Sequence, residues 1–210
     1  PIENNELKTQ ENYYKYFQNE IAYSIFYERM DDISKEINSP FEFTYIYESI
    51  LGEENYILKL IVSPIGGKYL EAIERVKKEY DRIQNYGFSK IEFDNLIAGY
   101  KSFLEDMYNN RDSEETINKL DYLMGFVNSE SIYISTEYYY NLSLSILDKI
   151  TLEDINFATK DWFNKTHRTI IVQEPESTVQ ALPEANEFIS ILDKQFKNTK
   201  KLEIIDWTKI

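Results

Sequence analysis

The sequence predicts an α+β domain in which helices pack on one face of a mostly antiparallel sheet. Three observations support this class: a long helical pattern comes first, two strand patterns follow it closely, and most of the remaining patterns are helical. Strands that are bunched, instead of alternating with helices, are typical of α+β folds. The chain has 210 residues, which is long enough to bury a sizeable core.

The first element is a long amphipathic helix from about residue 12 to residue 37. Its apolar residues recur at helical spacing and are Tyr14, Phe17, Ile21, Ile25, Met30, Ile33 and Ile37. Asn38-Ser39-Pro40 ends the helix, because the residue before a proline is disfavoured in the helical conformation.

Two strands are expected next, joined as an antiparallel hairpin. Residues 41–51 alternate, with Phe41, Phe43, Tyr45 and Tyr47 on one face and Glu42, Thr44, Ile46 and Glu48 on the other. A second strand covers residues 56–64 after a short turn at Gly52–Asn55, and so short a loop cannot serve a parallel crossover. Gly66-Gly67 is interpreted as a strand-to-helix turn.

The rest of the chain contains helix-boundary signals. Residues 68–87 form a helical pattern with Gly87 as C-cap, and Ser89 with Glu92 forms a capping box for the next helix. Thr151 and Asp154 approximate the same device. Further expected elements are a helix from about Ser113, a helix over 136–147, a third strand over 168–175, a helix with Pro183 in its first turn, and a short strand over 202–207.

Composition excludes several function classes. Lys and Arg number 23 against 37 Asp and Glu, for a net charge of −14. That balance argues against nucleic acid, where phosphate neutralisation dominates binding, and against anionic lipid. Basic or neutral polypeptides remain plausible partners. No apolar run approaches the ~20 residues of a membrane span, so no membrane insertion is expected.

Cysteine and histidine limit the chemistry further. The chain has no cysteine, which excludes disulfides, thiol catalysis and cysteine-zinc sites. Its one histidine, His167, lacks companions for a zinc site and is interpreted as structural or exposed. The chain opens with Pro1 and has no signal-peptide pattern, so we interpret it as a processed product or an excised piece.

For the other candidate residue groups, a structural role is favoured over a catalytic or binding role. The acidic residues Glu48, Glu53-Glu54, Asp31-Asp32 and Glu114-Glu115 could pair as in a glycosidase, but in so acidic a chain they are interpreted as solvated. Ser63–Lys68 resembles a phosphate loop only loosely. The 18 tyrosines, among them Tyr138, Tyr139 and Tyr140, could stack on sugars but are favoured as core filler. No catalytic, cofactor-binding or metal-binding residue is assigned.

Three motifs resemble the second, non-metal domain of insulinase/pitrilysin-like zinc metallopeptidases. Gly87-Phe88-Ser89 with Glu92 is similar to the family's G-F-[ST]-x-x-E opening of a long helix, and Arg111-Asp112-Ser113 is similar to its S-R-D-S turn. Ile150–Asn156 with Trp162 is similar to its [IL]-T-x-E-[DE]-[VI]-N pattern before a hydrophobic strand. The resemblance spans about Asn19 to Pro175 in matching order.

The resemblance implies a non-catalytic, chamber-forming role in a larger zinc metalloendopeptidase. The family's zinc is held by an inverted H-x-x-E-H helix in another domain, and this chain with one histidine has no such motif. The family's Arg and Tyr that hold the substrate carbonyl are also unmatched, because Lys35 and Glu36 follow Arg29 where the Tyr would stand. The chain itself is therefore expected to be inactive and to contain no cofactor. Its expected partners are a zinc-bearing domain of the same polypeptide, or a partner subunit, and a peptide substrate.

We expect residues 1–175 to form the insulinase-like domain and 176–210 an extension or hinge toward a following domain. A periplasmic or cell-envelope location is favoured for a bacterial chain of this family. Two alternatives remain open: a freestanding interaction or carbohydrate-binding module that uses surface tyrosines, and an inactive partner subunit of a zinc-bearing chain.

Overall fold

One hairpin and six helices with defined bounds lie in the described part of the chain. The computed structural model describes residues 9–51, 55–113, 120–121, 123–124, 133–160, 162, 168–173 and 182–203. Their elements are α1 Gln10–Ser34, β1 Phe41–Leu51, β2 Asn55–Pro64, α2 Tyr69–Tyr86, α3 Lys90–Asn109, α4 Thr136–Leu147, α5 Leu152–Ala158 and α6 Ala185–Asp193. The antiparallel pairing of β1 with β2 and the packing of helices on the hairpin confirm the predicted α+β class.

Helix α1 is the centre of the fold. Thr9 caps its N-terminus by accepting a hydrogen bond from the Asn12 amide at 3.1 Å. The helix packs against β1, α3, α4 and α5, which is why Ala22 and Phe26 are buried beside the predicted apolar stripe. The helix ends at Ser34 rather than near residue 37, so Ile37 lies outside it and is fully exposed.

The hairpin has one face against the helices and one face open. Cross-strand partners are Thr44 with Val62, Ile46 with Leu60, and Tyr45 with Ile61. Thr44 and Ile46 are buried toward α1, whereas Tyr45 and Ile61 on the opposite face are exposed. The predicted alternation is confirmed for these residues, and the aromatic side is the more exposed one.

Phe41 departs from the predicted pattern. The register shifts between Phe41 and Phe43, which pair with the adjacent residues Pro64 and Ser63. This β-bulge places an extra residue in β1 and turns Phe41 into the core, while Phe43 remains 51% exposed. The prediction that Phe41 shares a face with Phe43 was therefore wrong.

The predicted third strand is not formed within the described residues. Arg168–Gln173 belong to no ladder, and the sheet that the structure describes has two strands. A strand exists through its hydrogen-bonded neighbours, and neither β1 nor β2 pairs with this segment. Glu174 and Pro175, and residues 204–207 of the predicted last strand, lie outside the described residues, while Leu202 and Glu203 are in no strand.

The remaining helical predictions hold with shifted boundaries. Of the helix expected from Ser113, the described residues Leu120, Asp121, Leu123 and Met124 are helical, and Ser113 itself lies in a turn. Helix α6 begins after Pro183 and packs on α2. Downstream of α6, the Asp81 carboxylate accepts a hydrogen bond from the Phe196 amide at 2.8 Å. Across the part of the chain that is described, no helix is long and apolar enough to span a membrane.

Candidate functional site

Two of the sequence motifs meet in space at Asn156. Its side-chain oxygen accepts a hydrogen bond from the Phe88 amide at 2.7 Å. Gly87 precedes this contact with φ +71°, and a Cβ there would lie 2.8 Å from the Asn156 side-chain nitrogen. A glycine is needed at this position on both counts, since the left-handed conformation and the close approach each disfavour a side chain. The motif at 87–92 is thus joined to the motif at 150–156.

Arg29 links the first three helices through a buried ion-pair network. Its Nη1 donates to Glu79 at 3.0 Å and its Nη2 to Glu92 at 2.8 Å, and its Nε also donates to Glu92. Nη2 further reaches the Gly87 carbonyl at 3.4 Å, and the guanidinium lies 5.1 Å from the Phe88 ring centroid. Arg29 and Glu79 are both buried, so each charge depends on the other for compensation.

The electrostatics of this network favour its charged form. Burial opposes the charge of Glu92, but the hydrogen bond and charge of Arg29, with the Ser89 amide and hydroxyl, lower the pKa of that carboxyl. Burial likewise opposes the charge of Arg29, and Glu92 and Glu79 together raise its pKa. Glu92 is bonded to Arg29 and Ser89, and Glu79 is bonded to Arg29 and Arg82, so the network connects the helices.

The Ile150–Asn156 motif also attaches α5 to α1. Thr151 and Asp154 form the predicted capping box, and Ile150 and Ile155 on either side of it are buried. The Tyr14 hydroxyl of α1 donates to Asp154 at 3.0 Å.

Trp162 and Arg111 complete the motif residues. The Trp162 ring packs against Tyr23 at 5.1 Å and Phe26 at 5.6 Å. Arg111 lies over the Tyr108 ring at 4.1 Å and donates to the Tyr108 carbonyl at 2.6 Å, which closes the turn after α3. In the described residues, the motifs therefore serve caps, turns and packing.

The candidate carboxylates are spread over the molecule. Asp31 pairs with Lys35 on the surface and Asp32 is exposed, as the solvated interpretation expects, whereas Glu53-Glu54 and Glu114-Glu115 lie outside the described residues. Glu48 differs, because it faces α1 and accepts hydrogen bonds from Tyr23 at 2.9 Å and from Asn19 at 3.1 Å. Glu48 is thus a structural acceptor and not a solvated surface acid.

The tyrosines of the segment 138–140 are divided between core and surface. Tyr139 packs against the core and meets Tyr13 edge-on at 6.4 Å. Tyr140 stacks on Tyr108 with ring centroids 4.6 Å apart, and Tyr138 is exposed. Two of the three therefore fill the edge of the core, the use that the sequence favoured.

The described residues do not form a zinc site. His167, the one histidine, lies outside the described residues, and the chain has no cysteine. Among the residues that are described, no group of three or more His, Cys, Asp and Glu side chains could hold a metal ion. Gly66 and Gly67 have φ of +57° and +78° and form the predicted turn into α2, not a phosphate cradle.

Apolar side chains are exposed on the outer side of the hairpin, where Phe43, Tyr45 and Ile61 are 51%, 54% and 44% exposed. We call it the open face, and it consists of Phe43, Tyr45, Tyr47, Lys59 and Ile61. Tyr45 meets Tyr27 of α1 at 5.6 Å and Tyr47 at 6.1 Å, both edge-on, and Lys59 lies 5.8 Å from the Tyr47 ring. Such an aromatic surface is typical of an interface.

Three solved structures of proteases have the same fold as this chain. The first half of the periplasmic protease PqqL from Escherichia coli superposes with a TM-score of 0.79 at 11% identity, covering 95% of this chain and 43% of that one. A predicted insulinase family protease from Yersinia pestis gives a TM-score of 0.68 at 17% identity over 89% of this chain and 41% of that one. The ferredoxin protease FusC, solved in complex with Arabidopsis ferredoxin, gives 0.62 at 15% identity over 92% of this chain and 22% of that one.

Sequence comparison adds nothing at this distance. No family model matches the chain, and no curated protein matches its sequence. The chain spans less than half of each of these three solved structures. The resemblance inferred from the motifs is confirmed at the level of the fold: these 210 residues have the fold of one segment of insulinase-family proteases.

Proposed function

We propose that this chain is a non-catalytic, chamber-forming domain of a larger insulinase-like zinc metallopeptidase. One observation carries the proposal: nearly the whole chain, 95%, superposes on less than half, 43%, of the first half of PqqL. A chain that matches one segment of a protease, and whose described residues contain no metal-binding cluster, fits a structural domain better than a catalytic one.

In this proposal zinc belongs to a separate domain of the native polypeptide, or to a partner subunit. The resemblance assigns it to an H-x-x-E-H helix, which a chain with one histidine cannot supply. Residues 1–175 form the domain proper and 176–210 lead toward the next domain. Because PqqL is periplasmic, a periplasmic location is proposed here as well.

The proposed substrate is a polypeptide. FusC was solved with a protein partner, ferredoxin, which supports this substrate class. The net charge of −14 favours basic peptides, because a negatively charged domain attracts them before cleavage.

The native protein should cleave basic peptides faster than acidic ones of equal length at low salt. That preference should largely disappear at ~1 M salt, where the screening length falls to about 3 Å. A preference unchanged by salt would contradict the electrostatic part of the proposal.

The first test of the proposal is to determine the length and sequence of the native polypeptide. Intact mass and N-terminal sequencing of the protein from its source should show a chain that extends roughly 200 residues before Pro1, the length of one further domain, and contains H-x-x-E-H. A native protein that begins near Pro1 and ends near Ile210 would contradict the chamber role. The partner-subunit alternative would then be tested by co-purification with a zinc-bearing chain.

A further inference from the structure

A cavity of about 230 Å³ lies beside the Arg29 network, where the end of α2 meets the start of α3. Its lining includes four cationic residues, Arg29, Arg82, Lys90 and Lys201, and none of the described residues that line it is Asp or Glu. The chain as a whole has 37 acidic residues and 23 basic ones, so this lining reverses the composition of the protein. A concave site lined by charges of one sign attracts ligands of the opposite sign.

Part of this positive charge is available to a ligand. The carboxylates Glu79, Glu92 and Asp94 pair with three of the four cations. Lys201 is exposed and forms none of the ion pairs among the described residues. The pair of Lys90 with Asp94 is also exposed, so an anion in the cavity can compete for Lys90 at little cost. The cavity therefore has a net positive charge.

Arg82 has hydrogen-bond donors to spare. Its Nη1 donates to Glu79, whereas its Nε is buried and has no acceptor among the described residues. A buried donor without an acceptor is unfavourable and requires an explanation. The Arg82 side chain is 20% exposed, so its guanidinium can rotate to present this donor to an anion. The guanidinium group suits phosphate in particular, because its parallel N–H groups bind two oxygens at once.

The first turn of α3 supplies a backbone donor to the same wall. The capping box uses the amides of Ser89 and Glu92, but the amide of Lys90 has no acceptor among the described residues. The 20-residue helix also has the positive end of its dipole here. Both features add to the attraction that the cationic side chains exert on an anion.

The segment that contains Lys201 is fastened to α2. The Asn85 side chain donates to the Thr199 hydroxyl at 2.9 Å, and the Tyr86 hydroxyl donates to the Thr199 carbonyl at 2.6 Å. These two bonds bring Lys201 and Leu202 to the cavity, which they line from the side opposite α3. The site is thus assembled from three separate parts of the chain.

The rest of the lining is apolar and includes Phe88, Leu152 and Leu202. Ligand sites commonly combine such an apolar wall with a few polar groups that bind one end of the ligand. The charged part of the ligand is best matched by phosphate, which has nearly two negative charges and three acceptor oxygens. A carboxylate has one charge and two oxygens.

We propose that this cavity binds a small phosphate ester, with the phosphate group at Arg82, Lys90 and Lys201 and an apolar body against Phe88 and Leu152. Arg29 stays in its ion-pair network and contributes charge from below. The inference is independent of the proposed function, because every group that it uses lies within the described residues.

Titration of the 210-residue chain with phenyl phosphate tests the site. At low salt and about pH 7.5, where the ester carries nearly two charges, it should bind with a Kd of roughly 1 mM or below, a range open to a ligand of this size. The backbone amide signals of Ser89 and Lys90 should shift and saturate in NMR spectra. If neither signal shows a saturable shift up to about 10 mM, tenfold above that Kd, the proposal is overturned.

Two related anions test the ligand class. Inorganic phosphate lacks the apolar body, and benzoate has the ring but a single charge, so each should bind about 10-fold more weakly than phenyl phosphate. Equal affinity for inorganic phosphate would assign the cavity to the free anion. Equal affinity for benzoate would remove the requirement for phosphate. Either result would contradict the proposed ligand.

A matched pair of lysine variants locates the binding. Lys201→Gln should weaken phenyl phosphate binding about 10-fold, because a charge-assisted hydrogen bond is lost from the cavity. Lys200→Gln removes the same charge from the neighbouring exposed lysine, which does not line the cavity, and should leave the Kd unchanged. Equal weakening by both variants would assign the binding to general charge attraction and overturn the site. If Lys201→Gln fails to fold, Lys90→Gln provides the same comparison from α3.

The outcomes separate this inference from the proposed function. A chain that binds phenyl phosphate at this cavity supports the site even if the native polypeptide cleaves no peptide. A native zinc peptidase whose 210-residue segment binds no phenyl phosphate contradicts the site alone.

Discussion

The two faces of β1 differ in how far their side chains are buried within this chain. Toward α1, Thr44 and Ile46 are buried, and Glu48 receives hydrogen bonds from two side chains. Toward solvent, Phe43 and Tyr45 are more than half exposed. The helical side has an enclosed core and buried ion pairs, whereas the open face has the apolar exposure of an interface.

This difference indicates which part of the molecule stabilises the chain by itself and which part is available to a partner. Substitutions around α1 should lower the stability of the isolated chain. Substitutions on the open face should leave that stability nearly unchanged and should affect the native polypeptide instead. The predictions below test this division.

The largest effect is expected at the centre of the helical side. Arg29→Met leaves Glu92 without its partner and removes one of the two cations that bind Glu79, so it should lower the free energy of unfolding by about 3–5 kcal/mol. Urea denaturation followed by circular dichroism measures this. Lys35→Met is the control, because the exposed pair of Lys35 with Asp31 should leave the midpoint unchanged. Equal midpoints for both variants would contradict the role assigned to the network.

Two phenylalanines of β1 provide a matched comparison. Phe41→Ala should cost about 3 kcal/mol, near the low end for buried phenylalanine because the site lies at the end of the hairpin. Phe43→Ala should cost less than about 1 kcal/mol in the isolated chain. The measurement is again the urea midpoint with an unchanged slope. A large loss for Phe43→Ala would mean that its face is covered within this chain.

Substitutions at two glycines distinguish a position that requires glycine from one where alanine would favour the helix. Gly87→Ala should destabilise the isolated chain by about 1–3 kcal/mol, because φ is positive and Asn156 blocks the added Cβ. Gly99 lies at an exposed position of α3, and a Cβ added there has nothing within 4 Å. Gly99→Ala should therefore stabilise the isolated chain by about 0.5–1 kcal/mol. Thermal unfolding of both variants measures the two signs. A neutral Gly87→Ala variant would contradict the junction at Asn156.

The smallest expected effect is a pH dependence with two opposite contributions. The pKa of Glu92 is lowered, so its contribution is present above its ordinary pKa near 4.3 and is lost as the pH falls through the folded value. Burial first, and then the charge of Glu48, raise the pKa of Glu20, so its contribution is present at low pH and lost as the pH rises through the raised value. Glu92→Gln should flatten the acid limb of a stability–pH curve, and Glu20→Gln should raise the plateau at neutral pH.

Much of the fold could be predicted because local signals agree with the tertiary contacts. The capping boxes at Ser89 and Thr151 and the C-cap at Gly87 depend on residues three or four positions apart, so the sequence contains them in full. The hairpin follows from alternation and a short loop. Ile37 was misassigned because the helical spacing of apolar residues continues to residue 37, whereas the helix ends at Ser34.

The Arg29 network was missed because it joins residues far apart in sequence. Arg29 lies four positions from Ile25 and from Ile33, on the apolar stripe of α1, and Glu79 lies between Val76 and Ile83 on that of α2. Opposite charges on two apolar stripes were the signal that could have indicated a buried pair. The third strand was predicted from composition alone, and its pairing depends on neighbours that composition does not identify.

Zinc content and peptide cleavage, measured together on the native polypeptide and on the isolated 210-residue chain, test the central claim most directly. We expect about one zinc per native polypeptide, the metal-site count of a single H-x-x-E-H helix, with cleavage of a fluorogenic peptide that a chelator abolishes. The isolated chain should bind no zinc and cleave nothing. Stoichiometric zinc or chelator-sensitive cleavage by the isolated chain would contradict the account, because it would place the catalytic site within these 210 residues.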